Sequence, residues 1–271
     1  MNNTLEWVKN RERRDGGIEA WTGVYVPYPE VSGYLIPTLL NYKEKEMVSR
    51  LAKWLVKIQN SDGSWSGLDG LHHTFDTAAV VEGLKALPDK DKATEKALER
   101  GINFIKQNLL RAGIFKRNPK ENDTAIYTAR INWIVGEQMD YWSIIWNNEW
   151  GRIQRTHYIA YLLEGLWNAG CTLPVKLSLE PMKKLVLSNG LMPYNIREGW
   201  VADSNADDIC ATIQLAILYY KNGDKITAGQ LIRAVEPTIQ ANGGIWQSMG
   251  DQRCISWAAK YYLDYLHVSH S

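Results

Sequence analysis

The sequence predicts an all-α fold: a single (α/α)6 toroid domain of about six helix-pair repeats over residues 1–271. Three observations predict it. A seven-residue pattern, Gln-x-x-x-Gly-x-Trp, occurs at Gln59–Trp65 and again at Gln240–Trp246. Apolar residues return at i, i+3, i+4 and i+7, as in Leu51, Trp54, Leu55 and Ile58, the signature of a helix stripe. The order first helix, Gly-hydrophobic turn, polar loop, second helix recurs at intervals of roughly 40–50 residues.

Taken in chain order, Met1–Asp15 reads as a short helix with Leu5 and Val8 among charges. The turn Asp15-Gly16-Gly17-Ile18 follows, then the Pro-rich Val26–Gly33. Pro37 suits the first turn of the next helix, Tyr34–Leu40, where a missing N–H costs nothing. The helix carrying Leu51 to Ile58 ends at the first motif. A loop with His72 and His73 leads to a helix from Asp76 to Leu87, stopped by Pro88. In the third pair, Leu98, Ile102, Ile105 and Leu109 form the stripe and Gly113-Ile114-Phe115 imitates the motif, with Gln107 two residues too far upstream. The loop Lys116–Asp123 then precedes a helix carrying Tyr127, Ile131 and Ile134. The fourth runs through Tyr141, Ile144 and Ile145 to Trp150-Gly151, then a helix from Thr156 to Leu166. The fifth has Pro181–Leu187, Asn189-Gly190-Leu191, a loop from Pro193 to Asn205 and a helix from Asp207 to Leu218. The sixth has Ile226–Ile239, the second motif, a loop from Gln247 to Arg253 and a helix from Ser256 to Leu266. An open array of helix pairs needs polar caps. The last helix carries Trp257, Tyr261, Tyr262 and Tyr265 instead, so closure of the last pair on the first is expected.

Composition narrows the function. A net charge of +1 offers no global field for nucleic acid or an anionic membrane surface. Three widely spaced cysteines argue against a disulfide framework and suit a reducing, cytoplasmic setting. The polar N-terminal residues 1–14 lack a signal core, and no apolar run approaches the roughly 20 residues of a membrane helix. Twelve Trp and fourteen Tyr against three Phe favour large rings with polar tips. Most must serve packing, and some suit stacking on sugar faces. No cofactor is implied. No metal is expected: adjacent His72 and His73 point apart, and Asp203-x-Asn205-x-Asp207 lacks the Gly and Glu that complete a calcium loop. The basic run Arg11–Arg14 reads as a solvated helix face.

Gln59…Gly63-x-Trp65 and Gln240…Gly244-x-Trp246 resemble the QW motifs of the squalene cyclase and protein prenyltransferase superfamily. The resemblance implies turns that join outer to inner helices of an α/α toroid, with the Gln capping a helix end and stacking on the Trp. Thr156–Tyr161, Glu164-Gly165-Leu166, Asn242–Ile245 and Trp257–Lys260 are similar to a prenyltransferase-like branch found in polysaccharide-related contexts. The family chemistries are not matched. The cyclase acid motif Asp-x-Asp-Asp is met only by Asn205-Ala206-Asp207-Asp208, and no segment reproduces the zinc sets of prenyltransferases or lanthionine-forming toroids.

The repeat places the loops before the second helices at one rim. The candidates there are Glu30, Tyr34, His72, His73, Asp76, Asp123, Arg155, His157, Trp200, Asp203, Asp207, Asp208, Asp251, Arg253 and Trp257. Asp76, Asp207 and Asp208 also suit N-caps, His157 a core histidine, and Glu30 a loop-binding carboxylate. A carboxylate-rich rim among Trp and Tyr suits a saccharide, which makes a two-carboxylate glycoside hydrolase the first expectation. Glu30 would be the acid and Asp76 or Asp203 the base. His157 joins them as a catalytic candidate. Tyr34, His73, Arg155, Trp200, Asp207, Asp208, Asp251, Arg253 and Trp257 would bind substrate. On a uronic acid, Arg155 would neutralise the carboxylate and His157 or Tyr34 would abstract the C5 proton, giving a lyase or epimerase. Two rivals stand beside this: a terpene cyclase-like enzyme using Asp207 and Asp208, and a non-catalytic toroid that binds a glycan or a protein. The oligomeric state is left open.

Overall fold

The computed structural model describes residues 3–111, 114–120, 127–136, 154–197 and 199–270. The expectations for Gly113, Asp123, Tyr141, Ile144, Ile145, Trp150 and Gly151 fall outside these residues. The described helices are α1 Asn3–Lys9, α2 Pro29–Asn41, α3 Lys45–Lys57, α4 Thr74–Ala86, α5 Lys92–Gln107, α6 Thr128–Val135, α7 Thr156–Asn168, α8 Thr172–Met182, α9 Ile209–Lys221, α10 Lys225–Val235 and α11 Ser256–His270. Packing divides the chain into two compact units, Val8–Gln138, and Met139–Ser271 with Met1–Trp7.

The pairs α1–α2, α3–α4, α5–α6, α8–α9 and α10–α11 follow the expected order, and α7 is the second helix of the remaining one. Their sequences show which member is enclosed. In α3 and α5 the apolar residues make one stripe with charges opposite, so each buries one face. In α4 and α9 nearly every residue is buried; Ile209 to Tyr219 is a continuous run.

In the Val8–Gln138 unit, α2 and α4 cross closely through glycine. A Cβ on Gly83 would lie 2.2 Å from the Gly33 carbonyl oxygen. Pro37 lies inside α2, not in its first turn as expected; Pro29 takes the opening position. Pro37 has no N–H for the Gly33 carbonyl, which faces α4. In the other unit α9 packs against α7, α10 and α11.

Three further expectations change. The first helix stops at Lys9, and the basic run is not a helix face. Arg11 and Arg13 flank the buried Glu19 at 3.2 and 3.1 Å, because a buried carboxylate needs compensating charge. The polar loops also hold short antiparallel ladders: β1 Leu109–Arg111 with β2 Ile114–Phe115, β3 Gln154–Arg155 with β4 Asn195–Arg197 and β5 Val201–Ala202, and β6 Trp246–Ser248 with β7 Asp251–Cys254. Finally, Gln59 does not cap its own helix: its Nε2 donates to the Gly63 and Ala97 carbonyls, at 2.9 and 2.8 Å, tying the turn to the middle of α5.

The hydrogen bonds place the repeat in another register than the motif. Asp62 accepts from the Ser64 N–H, Asn189 from Leu191 and Asn242 from Gly244. The following Gly63, Gly190 and Gly243 have φ of 94°, 83° and 91°. Gly16 completes the series at 106°, in Asp15-Gly16-Gly17-Ile18. The shared unit is Asp/Asn-Gly-x-apolar, and it makes Ile245, not Trp246, the counterpart of Trp65. Trp65 is fully buried and donates Nε1–H to the Leu55 carbonyl at 2.8 Å. Gly63 and Gly243 both sit where a Cβ would strike backbone, at Arg100 and Asn3 respectively. Asn3 and Trp7 thus meet the last turn within the same unit.

Candidate active site

Each turn delivers the chain to the start of an enclosed helix. The Tyr28 N–H bonds the Ile18 carbonyl, Asp208 that of Met192 and Ile255 that of Ile245. Hydroxyls of the helix that follows lock the turn: Ser32 accepts from the Ile18 N–H, Thr77 from Trp65 and Thr212 from Met192. Side chains in the first turns of these helices are therefore held by the repeat itself.

In the Val8–Gln138 unit this brings Glu30 and Asp76 together through a residue that sequence reasoning did not assign. Tyr28 Oη donates to Asp76 Oδ2 at 3.0 Å, and the charge of Glu30 acts on the same phenol. Two buried carboxyls whose charges act on each other resist joint ionisation, which favours a proton held on the pair. Burial raises Glu30 to about 7, opposed by its bond to Tyr28 and the charge of Arg130. Burial also raises Asp76 well above the carboxylate range, with the charge of Glu30 adding to it. Tyr28 is pushed far up by burial and the two carboxylates, so it stays a phenol.

The surroundings are tightly built. Asp76 does not cap α4; the cap position is His73, whose Nε2 lies 2.8 Å from Asp69 Oδ2. A Cβ on Gly67 would lie 2.8 Å from Asp76 Oδ2 and 2.9 Å from Asp69 Oδ1, so only glycine fits there. Arg130, buried in α6, pairs with Glu82 at 2.8 Å. His72 pairs instead with Asp62 of the turn, at 2.6 Å. Tyr34 is buried within α2.

A second cluster lies in the other unit. His157, in the first turn of α7, is 6% exposed, with Nδ1 2.6 Å from Gln214 Oε1 on α9. Burial lowers it to about 4, so the ring is neutral. An amide oxygen only accepts, so Nδ1 holds the proton and Nε2 keeps its lone pair. Gln214 Nε2 is buried without a hydrogen-bond partner, a cost that this pairing carries. Beside it Arg155 Nε lies 3.2 Å from Asp208 Oδ2, and the guanidinium stands 4.5 Å over the Tyr194 ring. Asp208 Oδ1 caps α9 at the Ala211 N–H, 3.0 Å away.

The remaining candidates are engaged locally. Asp207 accepts from the Met249 N–H at 2.9 Å and the Asn189 amide at 3.3 Å. Asp203 pairs with Arg197 across the β4–β5 hairpin at 3.6 Å. Asp251 and Arg253 pair with each other on β7. Trp200 has a left-handed φ of 57° in the β4–β5 loop, and Trp257 lies half-buried in the first turn of α11. Among the described residues no three His, Cys, Asp or Glu side chains converge as metal ligands would, and no helix is long and apolar enough to cross a membrane.

No protein-family model and no curated protein sequence matches the chain. Solved structures do. The chain is similar to an alpha-amylase from Clostridium perfringens, with TM-score 0.77, 11% identity, and 98% of this chain and 97% of that one covered. It is similar to a D-mannose isomerase, with TM-score 0.71, 11% identity and coverage of 99% and 96%. It is also similar to a type II terpene cyclase from Scytonema, with TM-score 0.70, 12% identity and coverage of 99% and 96%. The fold class is all-α, an α/α toroid. At these identities the likeness defines the fold, and one fold carries several chemistries.

Proposed function

We propose that the protein is a carbohydrate-active enzyme, a glycoside hydrolase whose two carboxyl groups are Glu30 and Asp76. The observation that carries the reading is the coupled pair itself: Asp76 accepts from Tyr28 at 3.0 Å, and burial with the charge of Glu30 favours a proton held on the two carboxyls. Hydrolysis of a glycoside needs one carboxyl protonated and one ionised at the same time. Glu30, half-buried and raised to about 7, is the acid, and Asp76 is the partner carboxylate. Structural neighbours named for an alpha-amylase and a D-mannose isomerase add support for a sugar substrate.

The test is a panel of neutral and acidic polysaccharides, incubated with the wild type, Glu30→Gln and Asp76→Asn. Release of reducing ends by the wild type, lost in both variants, is the expected result. Full turnover by Asp76→Ala would remove Asp76 from the mechanism.

One observation favours a second reading, a lyase or epimerase of uronic acids. His157 is a neutral imidazole with a free Nε2 lone pair, and Arg155 beside it carries the charge that a carboxylate needs. New ultraviolet absorbance from an unsaturated product, lost in His157→Gln and kept in Glu30→Gln, would select it. The cyclase reading draws nothing from Asp207 and Asp208, whose oxygens serve loop, cap and Arg155. A purely binding module would not need two carboxyls coupled at one buried site.

A further inference from the structure

The Val8–Gln138 unit has a concavity of about 530 Å³ unrelated to the carboxyl pair. Six cations line it, Lys9, Arg13, Arg14, Arg50, Lys53 and Lys57, against two carboxylates, Glu12 and Asp15. The lining thus carries +4 in a chain whose total is +1, so the rest of the molecule is net −3. Some of this charge is internally satisfied. Arg50 grips Glu12 through two bonds of 2.8 and 2.7 Å, and Lys9 pairs with Glu44 at 3.2 Å. The rest is not. Among the described residues Arg14, Lys53 and Lys57 make no ion pair within 4 Å, and Lys53 and Lys57 stand one turn apart on α3, where like charges repel. Arg13 uses one terminal nitrogen on Glu19, at 3.1 Å, while its buried Nε has no hydrogen-bond partner.

The floor is rigid. Gly16 and Gly17 lie flat on the Trp54 indole, where a Cβ would come within 2.3 Å of Cδ1 and 2.5 Å of Cη2. A concave wall with an excess of one sign focuses its field on whatever enters. The volume falls within the roughly 300–1,000 Å³ of small-molecule sites. Guanidinium groups favour oxyanions that accept two bonds at once.

We propose that this cavity binds a small molecule carrying two or more phosphate or sulfate groups, held by Arg13, Arg14, Lys53 and Lys57. Phosphate and sulfate esters share that chemistry, and the probes separate them. Titration calorimetry at low ionic strength would use inorganic pyrophosphate, a doubly sulfated disaccharide and the unsulfated disaccharide as control. Saturable one-to-one binding of a charged probe is expected. It should weaken at least tenfold in the double variant Lys53→Glu/Lys57→Glu and stay unchanged in the charge-matched Lys92→Glu/Lys96→Glu on α5. Circular dichroism confirms that each variant is folded. Pyrophosphate binding alone marks a phosphorylated ligand, and disaccharide binding alone a sulfated one. Failure of both charged probes, equal weakening in the two double variants, or equal binding of the unsulfated disaccharide would overturn the proposal. Glu30→Gln leaves this site intact, so the result does not depend on the hydrolase reading.

Discussion

Replacing Glu30 with Gln should flatten the pH dependence of stability between about pH 4.5 and 6.5. Glu30 is raised from 4.5 to about 7 in the folded protein. A carboxyl with a raised pKa adds stability below its unfolded value, and that stability is lost as pH climbs from 4.5 towards 7. The shift corresponds to about 3 kcal/mol at about 1.4 kcal/mol per pH unit. His157 is lowered from 6.5 to about 4. Its contribution has the opposite sign: complete above 6.5 and lost as pH falls towards 4, again about 3 kcal/mol. Asp76 acts with the sign of Glu30, since its own burial raises it well above the carboxylate range. The wild type should therefore lose stability from about pH 4.5 to 6.5, the two carboxyls outweighing His157. Glu30→Gln removes one carboxyl and shrinks the rise of Asp76, so its stability should change less over this window, and His157→Phe should steepen the loss. With about 2–4 °C per kcal/mol for a chain near this size, each variant should separate from the wild type by several degrees. Thermal melts followed by tryptophan fluorescence at half-unit pH steps would read it. Melting curves of Glu30→Gln that run parallel to the wild type over this window would refute the assignment of a proton to the pair.

Other outcomes follow from single contacts. Gly63→Ala places a Cβ 2.5 Å from the Arg100 carbonyl oxygen at a φ of 94°, while Gly23→Ala at 90° meets nothing. Both carry left-handed strain of about 1–2 kcal/mol. Only the first adds overpacking of about 1–3 kcal/mol, so urea denaturation should rank Gly63→Ala well below Gly23→Ala. Gln214→Leu removes the acceptor on His157 Nδ1, and nitrogen NMR should then show the Nε2–H tautomer appearing, where the wild type shows only Nδ1–H.

The fold was legible because its signals are local. Stripes such as Leu51, Trp54 and Leu55 mark faces, and glycine turns mark ends. The register of the repeat was legible too, but under another feature. Trp is the conspicuous letter of the motif, yet the geometry requires left-handed φ, which glycine meets, and a short side chain accepting from the second N–H, which Asp or Asn meets. Aligning Asp15-Gly16, Asp62-Gly63, Asn189-Gly190 and Asn242-Gly243 would have found four turns where the Trp found two. The site was legible only in part. Glu30 and Asp76 could be named from their place before enclosed helices, whereas their connection through Tyr28 spans 48 residues. Gln214 lies 57 residues from His157 with no pattern linking them. Arg130 likewise reaches Glu30 only by packing of α6.

One physical cause explains why acid and base chemistry both arise at the same place in the repeat. Glu30, Asp76 and His157 all sit in first turns of helices, where the helix dipole favours negative charge by about 0.3–1 kcal/mol, up to about 2. Acting alone, the dipole would lower both carboxyls and deprotonate the imidazole. The carboxyls move the other way, so burial outweighs the dipole at Glu30 and Asp76. At His157 the two effects add, and the ring is neutral. Burial penalises charge whatever its sign. It therefore turns a carboxyl into a proton donor and an imidazole into a proton acceptor near neutral pH, from the same position in the helix. At Glu30 and Asp76 an Asx-Gly turn supplies that position by tucking the first turn of the following helix into the core. What distinguishes the two clusters is the added partner: a phenol that donates to one carboxyl, or an amide oxygen that fixes which imidazole nitrogen is free.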